Sequence, residues 1–227
     1  VCRFVQARKR SKKCAYLCFD EWNVWYRART PKDLDGKGQL APHLLEEVYN
    51  LEDALVVAGF LNSFIRHADV LKIANLAQIV NVIAPLMTRG DELLVQSIFY
   101  PLEMYSRRRE GVSLLPAVQG PSYESKTNGQ VHFIDTSAIL NQDRLSVFLS
   151  NRSLDELALV HIHLANHDLV SLESGELVTG PDAHAANSFE CPDVIRSQPF
   201  TEVRVTEGRA AVELPPLSVA ALTFTSV

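Results

Sequence analysis

Charge of one sign is in short supply: 22 Lys and Arg stand against 27 Asp and Glu, a formal net charge of −5 across 227 residues. That balance gives no electrostatic footprint for nucleic acid. The one basic cluster, six Lys/Arg without an acid within residues 1–13, is local. No aromatic platform or amphipathic helix accompanies it, so it is read as solvated surface leading into a strand, rather than as an arm for nucleic acid or a membrane surface. No apolar run approaches the ~20 residues that span a bilayer. The cysteines Cys2, Cys14, Cys18 and Cys191 show no repeated pair spacing, which excludes a recognisable disulfide framework. No repeat suggests a solenoid.

What is present is an ordinary globular composition, 47% hydrophobic and 22% charged, in a chain long enough for one large or two ordinary domains. The most informative stretch is 16–26. Tyr16 to Phe19 are uninterrupted apolar residues, too short for a helix, and predict a parallel strand buried on both faces. Asp20 and Glu21 follow at its carboxyl end, where barrels and open α/β sheets bind ligands. Side-chain alternation predicts that only one of the two acids faces any given cavity. The chain's only two tryptophans, Trp22 and Trp25, and then Tyr26 come next. Flat apolar faces with polar edges suit a sugar ring. The competing reading makes Asp20 and Glu21 caps of the next helix and the tryptophans core.

Farther along, Asn50 is an N-cap signal, with Glu52 and Asp53 in the first turn, for a largely apolar helix over Ala54–Ile65. Gly59 inside it implies close packing on a neighbour. Val70–Ala74 predicts a second strand whose carboxyl end leads to Asn75 and Gln78. The Gln78 amide can both donate to and accept from a hydroxyl, though an amide there equally suits a helix cap or a core hydrogen bond. Asp91 is read as the cap of a helix running to Tyr105, interrupted by Pro101. After Arg107 the pattern changes to short alternating segments at Leu145, Val147 and Leu149, at Ala158, Val160, Ile162 and Leu164, and at Ala220, Leu222 and Phe224, which predict an antiparallel sandwich. His161 and His163 alternate onto one face, expected to be the outer one, and no third ligand sits at a metal-site spacing.

Three blocks together resemble family 51 α-L-arabinofuranosidases: Phe19-Asp-Glu-Trp-Asn-Val-Trp-Tyr26, Leu44-Leu-Glu-Glu-Val-Tyr-Asn-Leu-Glu-Asp-Ala-Leu-Val-Val-Ala58 and Asn75-Leu-Ala-Gln-Ile-Val-Asn-Val-Ile-Ala-Pro85. The resemblance is strong from about Cys14 to Tyr105 and looser beyond. It implies an α/β plus all-β chain: residues 1–106 as the C-terminal portion of a (β/α)₈ TIM barrel, and 107–227 as a jelly-roll-like β-sandwich. It implies that Glu21 is the nucleophile at the end of the seventh barrel strand, that Gln78 binds sugar, and that Trp25 lines the cleft. The activity implied is retaining hydrolysis of terminal α-L-arabinofuranosyl residues from arabinan or arabinoxylan fragments, with no cofactor and no metal. A cytoplasmic homo-oligomer is implied as well, with no nucleic-acid or membrane partner.

The family's acid/base glutamate belongs to an Asn-Glu pair, and no Asn-Glu dipeptide occurs in this chain. Glu46, Glu47 and Glu52 are expected on or near a buried crossover helix, poorly placed to substitute. The N-terminus is neither Met nor a signal sequence, and the first strand comes only a dozen or so residues into the chain. The expectation is therefore a fragment of the barrel enzyme, lacking barrel strands one to six and inactive by itself. A different class, a non-catalytic carbohydrate-binding or structural sandwich, would expose aromatic residues on one sandwich face. The absence of Trp and the paucity of Tyr in 107–227 count against it.

Overall fold

The computed structural model describes residues 14–26 and 45–227, together with Cys2 and Phe4. The basic cluster of residues 1–13 otherwise lies outside the described residues. Strand β1 (Leu17–Trp22) pairs in parallel with β2 (Leu71–Leu76), and helix α1 (Leu51–Arg66) lies between them in sequence. The helix begins where the sequence predicts. Asn50 Oδ1 accepts the Asp53 amide at 3.1 Å, and Asp53 Oδ2 accepts the Asn50 amide at 2.8 Å, a reciprocal capping box that satisfies two otherwise orphaned donors. Phe60 and Phe64 on α1 meet Trp22, and Phe64 also meets Phe19 edge-on at 5.8 Å.

Two local expectations change. The parallel strand forms, but it is not buried on both faces: Leu17 is 47% exposed and Ile73 on its partner is 50% exposed. Helix α1 covers one face of a two-stranded sheet, and among the described residues no further strand extends it. The Asp91 segment is not a helix. Strands β3 (Leu86–Arg89) and β4 (Glu92–Val95) form a hairpin, because Gly90, at φ +61°, admits the tight reversal that a helix start would not use. Helix α2 (Phe99–Ser106) follows, with Pro101 in its first turn where a missing N–H costs nothing.

The remaining strands are β5 (Val112–Leu114), β6 (Ser122–Ser125), β7 (Gly129–His132), β8 (Ile134–Asn141), β9 (Arg144–Asn151), β10 (Ala158–Ile162), β11 (Leu169–Thr179), β12 (Arg196–Pro199), β13 (Val203–Thr206), β14 (Arg209–Leu214) and β15 (Ser218–Ser226). A six-stranded sheet runs β12-β11-β15-β9-β8-β5 and a three-stranded sheet runs β10-β14-β13, while β6 and β7 pair with each other. Every named pairing among them is antiparallel. The alternating residues Leu145, Val147, Leu149, Ala220, Leu222 and Phe224 meet Val212 and Leu214 in the core between the two sheets. The intervening residues Phe148, Val219 and Ala221 face the other way, onto Leu51, Leu55, Ala58 and Met104 of the helices. The large sheet is thus buried on both faces, which is why β9 and β15 carry almost no exposed position. His161 and His163 are exposed, as expected for an outer face. Among the described residues no three His, Cys, Asp or Glu side chains gather as a metal site, and no helix is long and apolar enough to cross a membrane.

Polar contacts dock the helices. Buried Asn62 donates to Asp135 Oδ2 at 2.9 Å and accepts from Tyr105 at 2.9 Å and Ser137 at 2.6 Å. Arg66 pairs with Asp135 at 3.0 Å. Arg108, whose side chain is 7% exposed, reaches Glu176 on β11 at 2.9 Å and Thr223 on β15 at 3.1 Å. Gly59 does not serve close packing: a Cβ placed there would meet nothing within 4 Å.

Candidate active site

The site is built on a break in strand regularity. From Phe19 to Trp22 β1 advances three residues, while its partners on β2, Ala74 and Leu76, are two apart. One extra residue on β1 makes a bulge there. Phe19 and Trp22 both keep their rings against Phe64 of α1, with centroids at 5.8 and 5.0 Å. Asp20 and Glu21 lie between these two helix-facing anchors, and both are exposed. Strict alternation, which would send one acid to each side, is therefore suspended at this point.

The ends of the two strands are tied together. The Ala77 amide donates to Trp22 O at 3.0 Å, so the residue after Glu21 is bonded to the residue before Gln78. Asn23 adds a second tie: its Nδ2 donates to Ala77 O at 2.8 Å and also to Ile83 O. The Gln78 amide donates to Ile83 O at 3.2 Å, and the Ile83 amide donates to Leu45 O at 2.7 Å. Glu21 and Gln78 consequently sit near the carboxyl ends of neighbouring strands, Glu21 one residue before and Gln78 two residues after the Trp22–Leu76 pair. The Gln78 side chain neither caps a helix nor fills the core; the residue is exposed.

Trp25 is 55% exposed, yet the chain on either side of it is held. Tyr49, fully buried, donates its hydroxyl to Val24 O at 3.0 Å. Tyr26 donates to Asp53 Oδ1 at 2.6 Å. Asp53 therefore serves twice, closing the capping box of α1 and anchoring the loop that presents Trp25. Its own burial pushes its carboxyl above the usual carboxylate range, against the pull of the Tyr26 hydrogen bond and the Asn50 amide. Burial, then the neighbouring Asp53, raises the Tyr26 phenol well above its ordinary value. Burial likewise raises Tyr49. With both phenols raised, neither is ionised at neutral pH.

Behind this loop, buried Gln96 uses its whole amide. Oε1 accepts the Tyr49 amide at 2.9 Å, and Nε2 donates to Ala84 O at 2.7 Å and Glu47 O at 3.0 Å. It joins the segment before α1 to the segment after Gln78. Glu46 and Glu47 lie ahead of α1 rather than on it, because Asn50 starts the helix only after them; Glu52 is an exposed first-turn residue. Neither the Glu47 nor the Glu52 side chain is brought to the strand ends by a hydrogen bond among the described residues. Sequence reasoning missed Asn23, Tyr49, Asp53 and Gln96 as parts of the site, and read Tyr26 as a sugar-facing ring where the structure makes it an anchor on Asp53. Their partners lie up to 60 residues away, beyond any local pattern. The only local hint was the place of Asn23, Tyr49 and Asp53 inside the first two of the three blocks; Gln96 lies outside all of them.

Residues 20–218 match the family model described as the alpha-L-arabinofuranosidase C-terminal domain. An intracellular exo-alpha-(1→5)-L-arabinofuranosidase of Acetivibrio thermocellus is 36% identical over 208 residues, covering 82% of this chain and 41% of the relative. An exo-alpha-(1→6)-L-arabinofuranosidase of Bifidobacterium longum is 34% identical over 221 residues, covering 94% of this chain and 42% of the relative. A solved family 51 alpha-L-arabinofuranosidase from Bifidobacterium longum superposes with a TM-score of 0.85 at 27% identity, covering 98% of this chain and 44% of that one. The chain spans less than half the length of these relatives.

Proposed function

Because the chain belongs to the alpha-L-arabinofuranosidase C-terminal domain family, we propose that it carries the nucleophile half of a retaining, exo-acting α-L-arabinofuranosidase site. Supporting this reading most directly is the hydrogen-bonded pair of strand ends that carries Glu21 on one strand and leads to Gln78 from the other. In the proposed reaction Glu21 attacks the anomeric carbon of a terminal α-L-arabinofuranosyl unit while the glycosidic oxygen leaves with a proton from an acid/base carboxyl. The covalent glycosyl-enzyme is then opened by water, with the second carboxyl acting as base, so configuration is retained. Two such carboxyls stand about 5–5.5 Å apart. The acid/base glutamate is placed outside these 227 residues, which hold no Asn-Glu pair.

Gln78 would hold ring hydroxyls by donating and accepting without a change of charge. Trp25 offers an apolar wall to the furanose. The boundary between barrel and sandwich is placed near Arg107, at the end of α2. The substrates proposed are arabinan or arabinoxylan fragments. A cytoplasmic location follows from the relatives named intracellular, and a homo-oligomer belongs to the same reading.

The test is hydrolysis of an aryl α-L-arabinofuranoside by the whole enzyme and its Glu21→Ala variant. The expected loss in kcat is about 10⁴-fold or more, with azide restoring turnover and yielding the glycosyl azide of inverted configuration. A variant that keeps a tenth of the parent's rate without azide removes Glu21 from the role.

A further inference from the structure

A second cleft, of about 460 Å³, opens on the sandwich between the β6–β7 hairpin and the chain that follows β9. That volume falls within the ~300–1,000 Å³ typical of small-molecule sites. One wall is apolar. Tyr123, the only tyrosine after residue 105, is 41% exposed and rests against Phe133 with ring centroids 5.1 Å apart. Leu154 beside them is 73% exposed. The rest of the lining is polar or charged: Ser153 and the three charged residues Arg152, Asp155 and Glu156.

These three charged groups share a cleft, yet none has an ion-pair partner among the described residues. Arg152 makes one side-chain hydrogen bond, from Nη2 to His132 O at 2.6 Å, and its solvent-shielded Nε has no acceptor among the described residues. The site therefore keeps spare donors, four spare carboxylate oxygens and an exposed aromatic face together. Its two carboxylates repel an anion and its guanidinium repels a cation. A neutral ligand with an apolar face and a rim of hydroxyls satisfies all of them, donating to Asp155 and Glu156, accepting from Arg152 and stacking on Tyr123. We propose that this cleft is a second, non-catalytic binding site for a neutral oligosaccharide. A lone tyrosine in the sequence gave no sign of a sugar platform; folding assembles one by bringing Phe133 and Arg152 to Tyr123. The proposal stands apart from the role of Glu21.

The test is calorimetric titration of the whole protein with α-(1→5)-linked arabinotetraose, with trigalacturonic acid as the anionic control. It is run in a Glu21→Ala background to prevent turnover, with Trp25→Ala added to weaken the first cleft. Millimolar binding of the neutral tetraose is expected to survive Trp25→Ala and to weaken at least 10-fold on Tyr123→Ala. Asp155→Asn, a change on an exposed side chain that spares the fold, is expected to weaken it about 3-fold. Trigalacturonic acid is expected not to bind. Absence of binding in the Trp25→Ala protein, or binding that neither Tyr123→Ala nor Asp155→Asn alters, overturns the proposal, as does preference for the acidic trimer.

Discussion

Strands β1 and β15 are both rich in apolar residues and end in opposite surroundings. In β15, Val219 through Leu222 and Phe224 are fully buried, because sheet β10-β14-β13 covers one face and helices α1 and α2 cover the other. In β1, Leu17 and Phe19 are 47% and 38% exposed, because one helix covers one face of a two-stranded sheet. Burial at ~25 cal/mol per Å² is collected only where a partner surface exists. Stability in the described structure is thus concentrated in the sandwich and its helical cover, whereas Glu21, the proposed nucleophile, stands on the thinly covered sheet. Helix α1 connects the two, with Leu51, Leu55 and Ala58 toward the sandwich and Val57 with Phe60 and Phe64 toward β1.

Substitution on either side sharpens the contrast. Phe148→Ala removes a fully buried ring stacked on Tyr105 at 4.0 Å and is expected to cost about 3–5 kcal/mol in urea unfolding. Ile73→Ala on β2 is expected to cost no more than about 0.5 kcal/mol. Equal losses at the two sites would show that β2 is covered as thoroughly as β9. Asn62→Ala attacks the connection itself, leaving Tyr105, Ser137 and Asp135 without their buried partner. A loss of about 2–4 kcal/mol is expected, and a loss confined to the sandwich's melting transition would refute a shared core.

Asn23→Ala tests the tie between strand ends. Removing it frees two carbonyls and loosens the relative placement of Glu21 and Gln78. The expected fall in kcat/KM is about 10–100-fold, at a stability cost of about 1–2 kcal/mol. Asn23→Asp, which keeps the Oδ1 acceptor for the Val24 amide but not the donors, should not rescue it. Of opposite sign is Gly59→Ala. With open space at the Cβ position, it is expected to raise stability by about 0.5–1 kcal/mol through helix propensity; a decrease in Tm would mean that the helix meets a neighbour there.

The start of α1 at Asn50, the parallel strands around Glu21 and Gln78, and the sandwich alternation were legible because each rests on local chemistry: a side-chain cap, a short apolar run, a period of two. The segment at Asp91 was misread because a capping aspartate and a Gly-Asp hairpin turn share the same residue type, and only the pairing of Met87 with Leu94 distinguishes them. The charged run Arg107–Arg109 carried no sign that Arg108 alone would be drawn under Thr223 and Glu176.

By itself the sequence determined where α1 starts, that short strands alternate after Arg107, and that two acids and an amide fall at or just past the carboxyl ends of two strands, since capping and periodicity act over a few residues. Tertiary structure alone decided that an extra residue in β1 leaves both acids between helix-facing aromatics. It alone decided that Asn23, Tyr49 and Gln96 bind the two strand ends into one unit, and that the large sheet is covered on both faces while β1 is not. Each of these depends on a hydrogen bond or a packing surface contributed by chain tens of residues away, which no local pattern encodes.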